Sequence, residues 1–166
     1  MWLNTNLWLT LLTIHGILAF FLLGALTHQA IAVWAPVHAR VSNFFGHVRA
    51  VSAHDYGGAI VVLYVLTFLL GMIVYPDYKL TASTVLSNPA FKWVKALDSF
   101  EFKEHTLAIG LALLPAYWYY WRPPLVPARD FVRAMLTTLL TIIAWMGFIV
   151  GHILNNAGGL GFLPSH

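Results

Sequence analysis

Apolar residues are gathered into four blocks, at positions 7–34, 57–75, 106–121 and 134–154, each nearly free of charge. A helix needs about 20 apolar residues to cross a hydrocarbon core of ~30 Å, so the first, second and fourth blocks reach or approach a full span. The third is short. Asp98 with Glu101 three residues later reads as a capping box, which starts that helix near Ser99 and extends it a turn or more beyond the core. The alternation of a transmembrane β-barrel is absent, and in lipid each span must satisfy its own backbone, so helices are predicted. The expected architecture is all-α: an integral membrane four-helix bundle with spans at about 7–34, 57–75, 99–121 and 132–154.

The connections carry fewer signals. Residues 77–98 form the long loop, where Asn88 and Pro89 precede Phe91, Trp93, Val94 and Leu97, with Lys92 and Lys95 between them; this pattern predicts a short amphipathic helix on the membrane surface. Pro115 predicts a kink in the third helix. The aromatic run 117–121, followed by Arg122, Pro123 and Pro124, reads as an interfacial anchor, and Trp8, Trp34, Trp118 and Trp121 fit aromatic belts. Gly147 and Gly151 form a GxxxG pattern that predicts close helix packing. Asn155 and Asn156 before Gly158 and Gly159 read as a helix stop. The first block lacks a basic leader and continues to Trp34, so it is read as a retained span rather than a signal peptide.

Composition sharpens the class. Of 166 residues 60% are apolar and 9% charged, against roughly a quarter charged in an average soluble domain. Cysteine is absent, which excludes disulfides, thiolate metal sites and covalent haem attachment. No phosphate loop, nucleophile triad or nucleic-acid patch is present. All five arginines fall in residues 35–56 and 122–133, while the four lysines and four of the six acids share residues 76–104. The resulting bias places both termini on the outer, periplasmic side of a membrane, with the bacterial inner membrane as the expected location. Lys92, Lys95 and Lys103 read as a solvated charged face, the commoner case, or as a surface that steers an acidic soluble partner.

Candidate chemistry rests on eight histidines. His15, His105 and His152, on three different helices, fall at one level toward the outer leaflet; His28 and His54 fall toward the inner one. An ionisable group inside a span is costly and marks a site or a partner. A neutral imidazole ligates haem iron, zinc, copper or non-haem iron, and two imidazoles on one haem leave no open iron position, which suits electron transfer. Small residues near the candidates leave room for a ring: Gly16 and Ala19 beside His15, Gly24 before His28, and Gly147 and Gly151 before His152. His15 and His28 are thirteen residues apart, roughly 140° around a helix, so one straight helix does not aim both at one interior; fourteen residues would align far better. One haem is therefore expected rather than two. His54 beside Asp55 has the form of a ligand oriented by a carboxylate or of a residue near headgroups. His38, His47 and His166 are expected in solvent.

Helix number together with His15, His28, His54, His105 and His152 resembles the small four-helix membrane b-type cytochromes that anchor respiratory enzymes. The resemblance is architectural, covers the spans, and departs from the two-haem pattern in its helix 1 spacing. It implies a haem b electron-transfer subunit of a larger redox complex, in contact with other membrane subunits and exchanging electrons with quinone or a soluble carrier. Two other classes fit the same residues. One is a cofactor-free accessory subunit using its helix faces and GxxxG surface. The other is a metal site of His15, His105 and His152, to which Glu104 adds little because it points about 100° away from its neighbour His105.

Overall fold

The computed structural model describes residues 4–35, 52–86 and 94–158. Four α-helices make up nearly all of these residues: α1 (Thr5–Trp34), α2 (Gly57–Leu86), α3 (Val94–Trp121) and α4 (Asp130–Gly158), with a 3₁₀ turn at Pro127–Arg129 leading into α4. His38, His47 and His166 lie outside the described residues, as do the expected surface-helix residues Asn88, Pro89, Phe91, Lys92 and Trp93. Two element boundaries differ from the sequence reading. The helix α2 continues through Pro76 to Leu86, into the expected loop. A helix can absorb a proline when neighbouring groups satisfy the freed carbonyl. The helix α3 starts at Val94 rather than near Ser99, because Glu101 does not act as a cap: its carboxylate takes a hydrogen bond from Lys79 of α2 at 3.0 Å. The N-terminus of α1 does carry a side-chain cap, with Asn4 accepting from the Asn6 N–H at 2.8 Å.

Among the described residues, three stretches are long and apolar enough to cross a membrane: Asn6–Trp34, Gly57–Asp77 and Pro127–Ile153. The helix α3 is apolar only over its second half, since Asp98, Glu101, Lys103 and Glu104 occupy its first. The outer faces of the bundle are apolar too, with Phe20 68% exposed and Phe131 69% exposed. A helix apolar all round belongs in lipid or in a large interior.

Neighbouring helices are antiparallel. His15 meets Thr67 while Gln29 meets Ala53; Tyr64 meets Leu107 while Lys79 meets Glu101; Trp121 meets Thr137; and Trp34 meets Thr138 while Thr27 meets Trp145. The helices thus form a ring, α1 beside α2, α2 beside α3, α3 beside α4 and α4 beside α1. The start of α1 and the end of α4 lie at the same end of the bundle. Each helix turns one seam inward at alternating spacings of three and four residues: 8, 12, 15, 19, 22, 26, 29 and 33 on α1; 60, 64, 67, 71 and 74 on α2; 103, 107, 110, 114, 117 and 121 on α3; and 133, 137, 140, 144, 147 and 151 on α4. This is the repeat that lets helices pack at shallow angles with side chains interlocked.

The seam redistributes the aromatic residues read as belts. Trp34 and Trp118 are exposed, but Trp8 and Trp121 are buried, and Tyr117 is wholly inside. Four residues separate Tyr117 from Trp121, so both fall on the inward stripe while Trp118 and Tyr119 face out. The inward pair joins a polar network. Gln29 Oε1 accepts from the Tyr117 hydroxyl at 2.6 Å and from the Thr137 hydroxyl at 3.4 Å, while Gln29 Nε2 donates to the Ala53 carbonyl at 2.8 Å. The Trp121 indole donates to Thr137 at 3.1 Å. Nearer the middle, the Tyr64 hydroxyl donates to the Leu107 carbonyl at 3.0 Å. That contact requires Gly110, where a Cβ would fall 1.9 Å from the hydroxyl oxygen.

Two stability predictions follow from these contacts. Gln29→Leu leaves the buried Tyr117 hydroxyl without its acceptor, and is expected to cost about 1–3 kcal/mol; thermal unfolding in detergent would show a lowered midpoint, and an unchanged midpoint would refute the network's role. Gly110→Ala forces Tyr64 off its carbonyl, at about 1–3 kcal/mol. Combined with Tyr64→Phe, its effect should be less than additive.

Candidate functional site

At the end of the bundle opposite the Gln29 network the seams carry small residues, and the helices do not close. Ala19 and Gly16 of α1, Gly71 of α2, and Gly147 and Gly151 of α4 border a cavity of about 270 Å³, with Leu12, Leu23, Phe68 and Phe148 supplying its apolar wall. The opening follows from side-chain volume. The layers toward the other end hold Leu26, Leu114, Tyr117, Trp121 and Leu140, which fill the space between the helices. A Cβ at Gly16 would meet nothing within 4 Å, so that glycine faces free space. The GxxxG pair serves contact within the chain. Gly147 lies against Leu107 of α3, where a Cβ would come within 2.8 Å, and a Cβ on Gly151 would stand 3.8 Å from the Lys103 ammonium.

Two of the five candidate histidines border this cavity, His15 from α1 and His152 from α4. The Nδ1 of His15 lies 2.9 Å from the Thr67 carbonyl oxygen. A carbonyl only accepts, so Nδ1 carries the proton and Nε2 presents its lone pair. Gly71, one turn after Thr67, makes the approach possible: a Cβ there would stand 3.2 Å from His15 Cε1. A ligating histidine is commonly held in this way, its second nitrogen donating to a fixed acceptor. The ring of His152 stacks on Phe148, one turn earlier in α4, with centroids 6.0 Å apart and planes 5° from parallel. Thr67 contributes a second feature. Thr10, Thr13, Thr106, Thr138 and Thr141 each return their hydroxyl to the carbonyl four residues earlier, whereas the buried Thr67 Oγ1 has no hydrogen-bond partner in the structure.

The other three candidates stand elsewhere. His105 is exposed, and its Nδ1 bonds to the Glu101 carbonyl of its own helix at 2.7 Å. The same helical rotation that separates His105 from Glu104 turns Glu104 toward the cavity and His105 away from it. A centre of His15, His105 and His152 is therefore not assembled, and among the described residues no three His, Asp or Glu side chains converge as a metal site. His28 lies outside the cavity, its Nδ1 2.5 Å from the Tyr56 hydroxyl and its ring edge-on to that tyrosine. His54 contacts the exposed carboxylate of Asp55 at 3.2 Å.

Sequence reading missed Lys103 and Glu104 as cavity residues and placed Lys103 among solvated charges. Lys103 is instead buried, its ammonium 3.2 Å from the Glu104 carboxylate, and both residues border the cavity. The signal was present in the spacing. Lys103 extends the seam 107, 110, 114, 117 and 121 by one further step of four. Against known proteins, the chain matches no family model, no curated protein and no solved structure.

Proposed function

We propose that this chain is a membrane-embedded haem b electron-transfer subunit of a larger redox complex, with His15 and His152 as the axial ligands of one haem. The observation that carries this reading is that imidazoles from α1 and α4 border one apolar cavity with glycine-lined walls, and one of them has its Nδ1 tied to a backbone carbonyl. The donor set suits the group: two imidazoles are ligands for iron held in a porphyrin. Haem held by two imidazoles supplies reversible one-electron chemistry.

The chain's own residues supply the rest. The Thr67 carbonyl orients His15 and makes its Nε2 more basic. The exposed ring of His152 lies parallel to that of Phe148. Phe68, Leu12 and Leu23 keep the cavity apolar, which limits solvent rearrangement around a transferred charge. Because the described chain is nearly all helix, with no catalytic domain among the described residues, electrons are exchanged with other membrane subunits and with quinone or a soluble carrier. The arginines Arg122, Arg129 and Arg133 at the far end of the bundle support an orientation with both termini on the periplasmic side of a bacterial inner membrane.

Reduced-minus-oxidised absorption of the purified protein is expected to show sharp b-type α and Soret bands. His15→Ala and His152→Ala should each lower haem content per chain by about tenfold or more, whereas His105→Ala should retain it. A colourless preparation that takes up no added haem refutes the proposal, and wild-type spectra in both ligand variants refute the ligand assignment.

A further inference from the structure

The two ends of the bundle treat their cations differently. At the cavity end Lys79 pairs with Glu101 and Lys103 with Glu104. At the Gln29 end the buried Arg133 pairs with Asp130, but Arg122 and Arg129 have no carboxylate beside them among the described residues. Both are laid instead on one ring. The guanidinium carbons of Arg122 and Arg129 each stand 5.2 Å from the centroid of Tyr119, and that of Arg129 is also 5.8 Å from Tyr120. The two tyrosines meet edge to face, with centroids 5.2 Å apart.

The link between α3 and α4 builds this cluster. Pro123, Pro124 and Pro127 each fix a backbone φ angle, and the turn Pro127–Arg129 returns Arg129 to the end of α3. Two cations gathered at one ring repel each other, and an anion that meets both offsets that cost. Stacking occupies the flat face of a guanidinium and leaves its N–H donors pointing outward in the plane. No side-chain hydrogen bond to the described residues uses those donors in either arginine.

The cluster also lies at the rim of an apolar region. The apolar stretch Pro127–Ile153 begins two residues before Arg129. Trp118, Leu125, Val126 and Phe131, which flank the two arginines along the chain, are all exposed. A ligand matched to this surface carries one negative group and long apolar chains.

We propose that Arg122 and Arg129, gathered by Tyr119, bind the phosphate of an anionic glycerophospholipid of the phosphatidylglycerol type, whose acyl chains lie along the exposed apolar side chains. In a zwitterionic lipid the phosphate is already offset by the lipid's own cation, so the cluster selects for net negative charge. Planar guanidiniums give phosphate paired, directed hydrogen bonds. The site does not use the cavity and stands independently of the haem reading.

The test titrates the full chain in detergent micelles with dioleoyl phosphatidylglycerol and with dioleoyl phosphatidylcholine, and counts bound lipid by native mass spectrometry. Wild-type protein is expected to bind the first phosphatidylglycerol about tenfold or more tightly than phosphatidylcholine. Arg122→Gln with Arg129→Gln should bring the two affinities together. Arg40→Gln with Arg49→Gln removes equal charge and should keep the preference. Equal affinity for the two lipids in wild type overturns the proposal without any substitution. An equal loss in both double variants also overturns it, because the preference then belongs to net charge. Displacement of the lipid by water-soluble glycerol phosphate at the same concentration would assign the cluster to free phosphate and overturn the lipid assignment. Tyr119→Leu leaves both charges in place and should weaken the preference several-fold; full retention refutes the gathering role of the ring.

Discussion

The arrangement of the bundle depends on one buried amide. Gln29 is fully enclosed, and three of its hydrogen-bonding positions are taken by Tyr117 of α3, Thr137 of α4 and the Ala53 carbonyl ahead of α2. In an apolar surrounding, contact between aliphatic side chains has little preference for one rotation of a helix over another. Hydrogen bonds between helices do have such a preference, because each requires a particular donor to meet a particular acceptor. One side chain of α1 thereby ties together the other three elements of the ring. Secondary contacts along α1 and α4 follow the same register, with Trp34 donating to Thr138 and Trp145 to Thr27, each near 2.9 Å.

That register determines what happens at the other end. With Gln29 on the inward seam, the residue fourteen positions earlier is His15, which returns to the same side of the helix after four turns of the three-four repeat. Inward presentation of Gln29 thus turns His15 toward α2 and the cavity. The small residues of α1, α2 and α4 then face one another where the opposite end has tyrosine, tryptophan and leucine. Tight packing at one end holds the helices, and the space between them at the other is a consequence of missing side-chain volume.

The four helices, three of them long and apolar enough to cross a membrane, were legible in the pattern of apolar positions. The thirteen-residue separation of His15 and His28 was also readable as an obstacle to a shared interior, and in the structure the cavity takes His15 while His28 meets Tyr56. The aligned partner at fourteen residues was Gln29, whose importance did not show because a lone amide in an apolar block carries no motif. The inward place of Lys103 and the outward place of His105 did not show for a different reason. On α3 the choice between inward and outward turns on 100° per residue, and neighbouring charged residues were grouped by sequence rather than by stripe.

Composition and hydrophobic pattern alone determined that this chain forms long apolar helices and that His15, His28, His105 and His152 lie within them, because an apolar run is read segment by segment, independently of distant neighbours. Tertiary structure alone decided which polar groups meet. Whether His15 faces Thr67, whether Lys103 is enclosed and whether His105 is left outside depend on the ring order of four helices and the rotation of each. Those are relations between distant segments, held by hydrogen bonds whose two ends are as much as 118 residues apart.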